Sequence, residues 1–192
     1  MTRLWWVRHG PTHQRAFCGW RDVPADLSDH AALDRLSAFL PPGALVTSSD
    51  LIRATATADA IAGLRARLAP DPALREFHFG DWDGLTFDQI SARDPDLSRA
   101  YWETPGDIAP PNGESWNAAA DRVNRAVDAL LAAHPGRDLV IVAHLAVILT
   151  QYARARSLSP VQAIGQQIDN LSLTRIDLSP AGWQVHCVNC VP

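Results

Sequence analysis

Apolar residues fall into short unbroken runs, separated by longer stretches with helical spacing. Arg3 to Arg8 (RLWWVR) is apolar without alternation, the pattern of a strand buried on both faces. His9-Gly10-Pro11 stops it and begins a loop. Ala44 to Thr47 reads as a second strand, and Asp138 to Ala143 is the cleanest, a continuous β-branched run of parallel-sheet character. Ser28-Asp29 can cap a helix from His30 to Leu40, with Leu33, Leu36 and Leu40 on one face and Pro41-Pro42-Gly43 ending it. Ser48-Ser49-Asp50 offers cap oxygens for a helix from Leu51 to Leu68.

Ala73 to Phe77 is expected as a third strand or an extended edge. Gly80 and Gly84 bracket a turn. Thr86 to Trp102 carries weaker helical patterning broken by Pro95, followed by a loop rich in Pro and Gly from Thr104 to Pro111. Asn112-Gly113-Glu114-Ser115 opens a long amphipathic helix to His134, which Pro135-Gly136 terminates. A helix from Leu145 to Arg156 follows the Asp138–Ala143 run. Leu171–Leu178 and Trp183–Val188 read as two late strands joined by a turn at Pro180-Ala181-Gly182.

Strands alternating with helices predict an α/β fold, a three-layer α/β/α sandwich with a mostly parallel central sheet and helices on both faces. Functional groups are then expected beyond the carboxyl ends of the strands. Residues 1–192 read as a single domain, with a short insertion over 81–111 near the site.

Composition narrows the chemistry. The chain has 192 residues, a net charge of −4, 47% hydrophobic and 20% charged residues, enough to bury a core without staples. Its mild acidity argues against a nucleic-acid partner held by a basic face. All 17 basic residues are arginine, which excludes Schiff-base lysine chemistry and a Walker-type lysine. No apolar stretch is long enough to span a bilayer and no signal peptide is visible, so a cytoplasmic protein with no membrane partner is expected, as monomer or homodimer. Cys18, Cys187 and Cys190 make an odd count, and the single C-x-x-C is read as incidental thiols.

Four signals sit after strands or at helix starts. They are Arg8-His9-Gly10 with Thr12, Arg53 within Ser49-Asp50-x-x-Arg53-Ala54-x-x-Thr57-Ala58, Glu76 within Glu76-x-x-x-Gly80-x-Trp82-x-Gly84, and His144 at the end of the last buried run. Together they make coherent phosphoryl-transfer chemistry. A neutral imidazole accepts a phosphoryl group, arginines clamp phosphate oxygens, and a carboxyl of raised pKa protonates a leaving alkoxide and then deprotonates water. Taken singly, each has a plainer reading: His144 as a core histidine, Arg53 as a salt-bridging helix residue, Asp81 and Asp83 as turn residues near Glu76.

In this order the motifs resemble the histidine phosphatase superfamily, of phosphoglycerate-mutase-like fold, from Leu4 to about Leu178. The resemblance implies that His9 is the phosphorylated nucleophile, its other ring nitrogen held by the Gly10 carbonyl. It implies that Arg8, Arg53 and His144 surround the phosphate, that Glu76 is the proton donor and that Thr12 supports the phosphate loop. No metal enters the transfer step and no cofactor is implied. The implied activity is a phosphomonoesterase acting on a small phosphorylated metabolite. Phe79-Gly80-Asp81-Trp82 and Pro111-Asn112-Gly113-Glu114-Ser115 resemble the α-ribazole phosphatases of cobalamin synthesis.

Three positions depart from the family pattern. Leu145-Ala146 stands where glycines commonly follow the histidine, Pro11 replaces a common acidic residue, and Arg15 replaces a common asparagine. Leu145 is expected to narrow the pocket or aim into it, and Arg15 to be either an extra anion contact or a solvated side chain. Rival readings are a metal-assisted hydrolase built on His9, His13, Asp22 and His144, a phosphoglycerate-type mutase, and a catalytically impaired phosphate-ester binding protein. His78, Trp82, Trp102 and Trp116 are candidates for the pocket wall, with core packing the alternative for the tryptophans.

Overall fold

A computed structural model describes all 192 residues, Met1–Pro192. Its strands are β1 (Thr2–Arg8), β2 (Leu45–Ser48), β3 (Asp138–Ala143), β4 (Leu173–Ser179) and β5 (Gly182–Cys190). They form one sheet in the order β2-β3-β1-β4-β5. β3 pairs in parallel with both β1 and β2, whereas β4 runs antiparallel to β1 and β5. Four strands therefore share one direction and β4 alone is reversed. The expected mostly parallel sheet holds for strand direction but not for pairing, which is mixed. The tight turn at Pro180-Ala181 accounts for the β4–β5 pair, since it can only join antiparallel neighbours.

The unbroken apolar runs have the meaning their pattern implied. Leu4, Trp6, Leu139, Ile141 and Ala143 face one cluster, shared with α5 (Trp116–Ala133) and α6 (Leu145–Arg156). Trp5, Val7, Val46, Val140 and Val142 face the other, shared with α1 (His30–Phe39) and α2 (Ile52–Ala62). Each strand thus covers two cores with alternate residues, which makes three layers. No helix is long and apolar enough to cross a membrane.

Caps set most helix starts. Asp29 accepts from Ala32 N for α1 and Ser115 from Ala118 N for α5. The region of weak periodicity resolves into α3 (Phe87–Arg93), opened by a Thr86/Gln89 capping box, and α4 (Pro95–Glu103), with Pro95 at its first position. A further helix, α7 (Pro160–Ile164), was too short to show a period.

Two sequence expectations fail for identifiable reasons. The second helix stops at Ala62, not Leu68, because Gly63 turns the backbone to φ +55°. Residues 66–68 then run beside β2, with Val46 N donating to Ala66 O at 2.9 Å and Leu68 N to Val46 O at 2.8 Å. Nor do Ala73 to Phe77 form a strand. Pro72–Leu74 is a single 3₁₀ turn, and the carbonyls that follow are taken by side chains. Arg122 donates to Ala73 O and Arg75 O, and the Trp20 indole to Glu76 O, in place of a neighbouring strand.

Candidate active site

β1 and β3 end in register, Arg8 opposite Ala143, so the next residues, His9 and His144, meet at the carboxyl rim of the sheet. Their rings lie 5.0 Å apart at 61°. His9 Nδ1 bonds the Gly10 carbonyl at 2.7 Å, and since a carbonyl only accepts, Nδ1 carries the proton and Nε2 keeps its lone pair. Burial drives the His9 pKa down to about 3, and the charges of Arg53 and Arg8 push the same way against the Gly10 bond. The side chain is therefore a neutral imidazole, as a nucleophile requires.

Arg53 is held in the core by four groups. Its Nε donates to His144 Nδ1 at 3.2 Å, Nη1 to Arg21 O at 2.9 Å, and Nη2 to Gly19 O at 2.6 Å and Cys18 O at 3.3 Å. His144 is fully buried with a pKa far below the usual histidine value, mainly through burial and then the charge of His9. With Nδ1 accepting, its proton sits on Nε2, which is buried without a partner in the protein. The Arg8 Nε is likewise buried and unpartnered, while Nη1 donates to Ile168 O at 2.6 Å. Two buried donors thus remain free around His9. Trp5, Trp6, Trp102, Arg154 and Ser172 also have an unpartnered buried polar atom, so what marks these two donors is their place beside His9.

Glu76 completes the site. Phe77 N donates to Oε1 at 3.1 Å and Ala146 N, in the first turn of α6, to Oε2 at 3.3 Å. Burial raises its pKa, and this outweighs the opposing pull of Arg53 and the two amides. A carboxyl poised to hold its proton is the type needed for general acid catalysis.

These groups open onto a cavity of about 270 Å³, lined among others by Arg8, His9, Thr12, Arg53, Glu76 and Leu145. His144 sits behind that lining against His9 and Arg53. Trp102 and Trp116 line the cavity, joined by Tyr101 and Pro105 from the 81–111 segment. Arg15 does not: it is exposed and outside the lining, with Gln14 and Ala16 on the wall instead. His78 packs edge-on to Trp20 at 4.4 Å, and Trp82 is a core residue bonded to Asp94, so neither reaches the cavity. The rival metal quartet is not assembled. Exposed His13 pairs with Asp26 at 2.8 Å, and Asp22 accepts the Ile52 amide at the start of α2. No group of three or more His, Cys, Asp or Glu is placed to hold a metal.

Several supporting roles were not assigned from the sequence. Thr57 accepts from Gly10 N at 3.0 Å and donates to Arg53 O at 2.7 Å, linking the nucleophile loop to α2. Asp83 gathers the amides of Gly19, Trp20 and Arg21, fixing the loop whose carbonyls hold Arg53. Gly19 has no room for a side chain there, since a Cβ would lie 2.5 Å from Phe77 O. Asn170 donates to His9 O at 2.8 Å. Only Thr57 carried a signal, four residues after Arg53; the others act across loops that no periodicity marks.

Comparison with known proteins agrees with this geometry. The sequence matches the histidine phosphatase superfamily (branch 1) over residues 4–191. It is 35% identical over 161 residues to the Bifunctional protein Rv2228c of Mycobacterium tuberculosis, covering 77% of this chain but only 42% of that protein. It is 31% identical to the Adenosylcobalamin/alpha-ribazole phosphatase of Salmonella typhimurium, over 79% of this chain and 78% of that one. Among solved structures, Bacillus stearothermophilus YhfR superposes with a TM-score of 0.91 at 29% identity, covering 100% of this chain and 98% of that one. The chain belongs to the histidine phosphatase superfamily, branch 1.

Proposed function

We propose that this chain is a metal-independent phosphomonoesterase working through a phosphohistidine on His9. One observation carries the reading: a neutral His9 with a free Nε2, flanked by unpartnered buried donors on Arg8 and His144 and by a carboxyl that holds its proton. The ester's phosphate binds Arg8, Arg53 and the Nε2–H of His144. His9 Nε2 attacks phosphorus in line, the P–O bond to the leaving group breaks, and Glu76 gives its proton to the departing oxygen. Glu76, now a carboxylate, takes a proton from water as that water attacks the phosphohistidine. The P–N bond breaks and inorganic phosphate leaves.

The finer reading is α-ribazole-5′-phosphate as substrate. The matching Phe79–Trp82 and Pro111–Ser115 segments and the 31% identical phosphatase of that name support it. Three free cysteines fit the reducing cytoplasm.

The test is incubation with a ³²P-labelled ester in EDTA, followed by rapid acid-free denaturation. Wild type should carry label on one histidine and release phosphate, and His9→Ala should do neither. Labelling and turnover that persist in His9→Ala would refute the mechanism. Turnover that vanishes in EDTA and returns with one divalent ion would favour metal-assisted hydrolysis instead.

A further inference from the structure

The cavity beyond the phosphate groups has a one-sided chemistry. Its only charged lining residues are Arg8, Arg53 and Glu76. Both guanidinium groups lie at the phosphate end and are already engaged, Arg8 with Ile168 O and Arg53 with His144, Arg21, Gly19 and Cys18. The chain has no lysine; Arg15 is exposed outside the lining, and Arg21 and Arg75 also lie outside it, paired with Asp83 and Asp50. A second negative charge on the substrate would therefore meet no cation. It would instead lie by Glu76, which becomes an anion once it has given up its proton.

Apart from the neutral side chains of Thr12 and Gln14, the rest of the wall is mainly apolar and rich in aromatic rings. Phe17 and Trp102 lie 5.7 Å apart and tilted by 36°, and Tyr101 abuts Trp102 edge-on at 4.9 Å. Tyr101 is a neutral phenol, its pKa raised by burial and then by Glu76 and Glu114. Leu145, Leu149 and Ile164 add aliphatic surface to the same lining. Such a wall gains from covering a ring or an aliphatic surface. That apolar part cannot compensate the desolvation of a carboxylate or an ammonium group.

Building on the phosphohistidine reading, we infer that the leaving group of the natural ester is uncharged and presents a flat apolar ring. The phosphates of small carboxylic and amino acids are discriminated against, and Trp102 and Phe17 are the specificity-determining residues. Discrimination arises as much from the missing cation as from the aromatic contact.

The experiment compares kcat/KM for 2-phenylethyl phosphate, glycerol 3-phosphate, 3-phosphoglycerate and O-phosphoserine in EDTA. All four are primary alkyl esters, so the acidity of the leaving oxygen does not confound the comparison. The ring-bearing ester should exceed both carboxylate-bearing esters by about tenfold or more, with glycerol 3-phosphate between them. Trp102→Leu should shrink that ratio by about fivefold or more, and Phe17→Leu should act in the same direction. Equal or better turnover of 3-phosphoglycerate or phosphoserine, with His9 still labelled, would overturn this inference and leave the phosphohistidine reading standing. No turnover of any ester and no label on His9 would remove both. A ratio unchanged in both Trp102→Leu and Phe17→Leu would overturn the assignment of specificity to these rings.

Discussion

The Nε–H of Arg53 donates to Nδ1 of His144 at 3.2 Å, between two side chains that are at most 1% exposed. This bond decides which His144 nitrogen carries the proton, and so turns Nε2 into a donor. Arg53 is at once a phosphate ligand in the proposed mechanism and the residue that sets its neighbour's tautomer. Lysine can reproduce the charge but not the fork that reaches Arg21, Gly19 and Cys18 as well. Arg53→Lys is expected to cost about 3 kcal/mol of stability and to lower kcat/KM by about a hundredfold or more. Urea unfolding and ¹⁵N chemical shifts of His144 would check both parts, a mixed tautomer being the expected signature.

Glu76 must be protonated to act as an acid, and burial lifts its pKa above the usual carboxyl range. His9 must be neutral, which its pKa of about 3 secures over most of the acid range. The pH profile of kcat/KM should therefore show a low acid limb near that value and an alkaline limb at the raised pKa of Glu76. Glu76→Gln should abolish the alkaline limb. It should cost about 10²–10⁴ in kcat on alkyl phosphates, and much less on nitrophenyl phosphate, whose leaving group needs no proton. Equal losses on both esters would contradict the acid role.

The two buried histidines also tie stability to pH. Unfolded histidine takes a proton below about pH 6.5, whereas His9 and His144 stay neutral in the folded protein well below that. The unfolded state then binds more protons, so stability rises with pH across this window and falls as pH drops from about 6.5 towards 3. Urea midpoints measured from about pH 4 to 7 should show this slope, and His144→Asn should flatten it.

A tie from the C-terminal strand reaches the nucleophile. Asn189, at φ +55°, donates from Nδ2 to Asp169 Oδ2 at 2.9 Å and accepts from Asp169 N at 2.6 Å. The two neighbours of Asp169 hold the site: Ile168 O takes Arg8 Nη1, and Asn170 Nδ2 reaches His9 O. Asn189→Gly keeps the backbone conformation and removes only the amide. It should cost about 1–2 kcal/mol and weaken inhibition by inorganic phosphate several-fold, with a smaller effect on kcat. An unchanged phosphate affinity would show the tie to be structural only.

The legible part of this molecule was the part written in periodicity and in contiguous motifs. The runs at Arg3–Arg8 and Asp138–Ala143 read correctly because their interiors, Leu4–Val7 and Leu139–Ala143, are buried on both faces and wholly apolar, and His9 and His144 follow those runs closely. Arg53 and Glu76 were visible from motif spacing although their neighbourhoods were misread. The helix after Arg53 ends early at a glycine, and the segment of Glu76 satisfies its carbonyls with Arg122 and Trp20. Those contacts join residues 46 to 56 positions apart, beyond any local pattern. Asn170 and Asn189 were hidden for the same reason; Asp83 was read only as a turn residue, and Gly80 was read correctly as bracketing a turn, its reason alone being long-range. Its turn at φ +52° is set by close packing on Pro111 and Asn112 far along the chain.

The central place of β1 has a consequence for how the protein comes into being. β1 lies between β3 and β4, so the first strand made has no partner until residues more than 130 positions later are present. Contacts of such separation slow folding, because the chain must close long loops before they repay it. The nucleophile follows the sheet's first strand, and the last of its restraints, Asn170 and Asn189, come from beside and within the two last strands. The site is therefore incomplete until the antiparallel hairpin docks and Asn189 holds the Ile168–Asn170 segment against Arg8 and His9. Truncation within that hairpin should give a chain that is inactive throughout, with no partially active form.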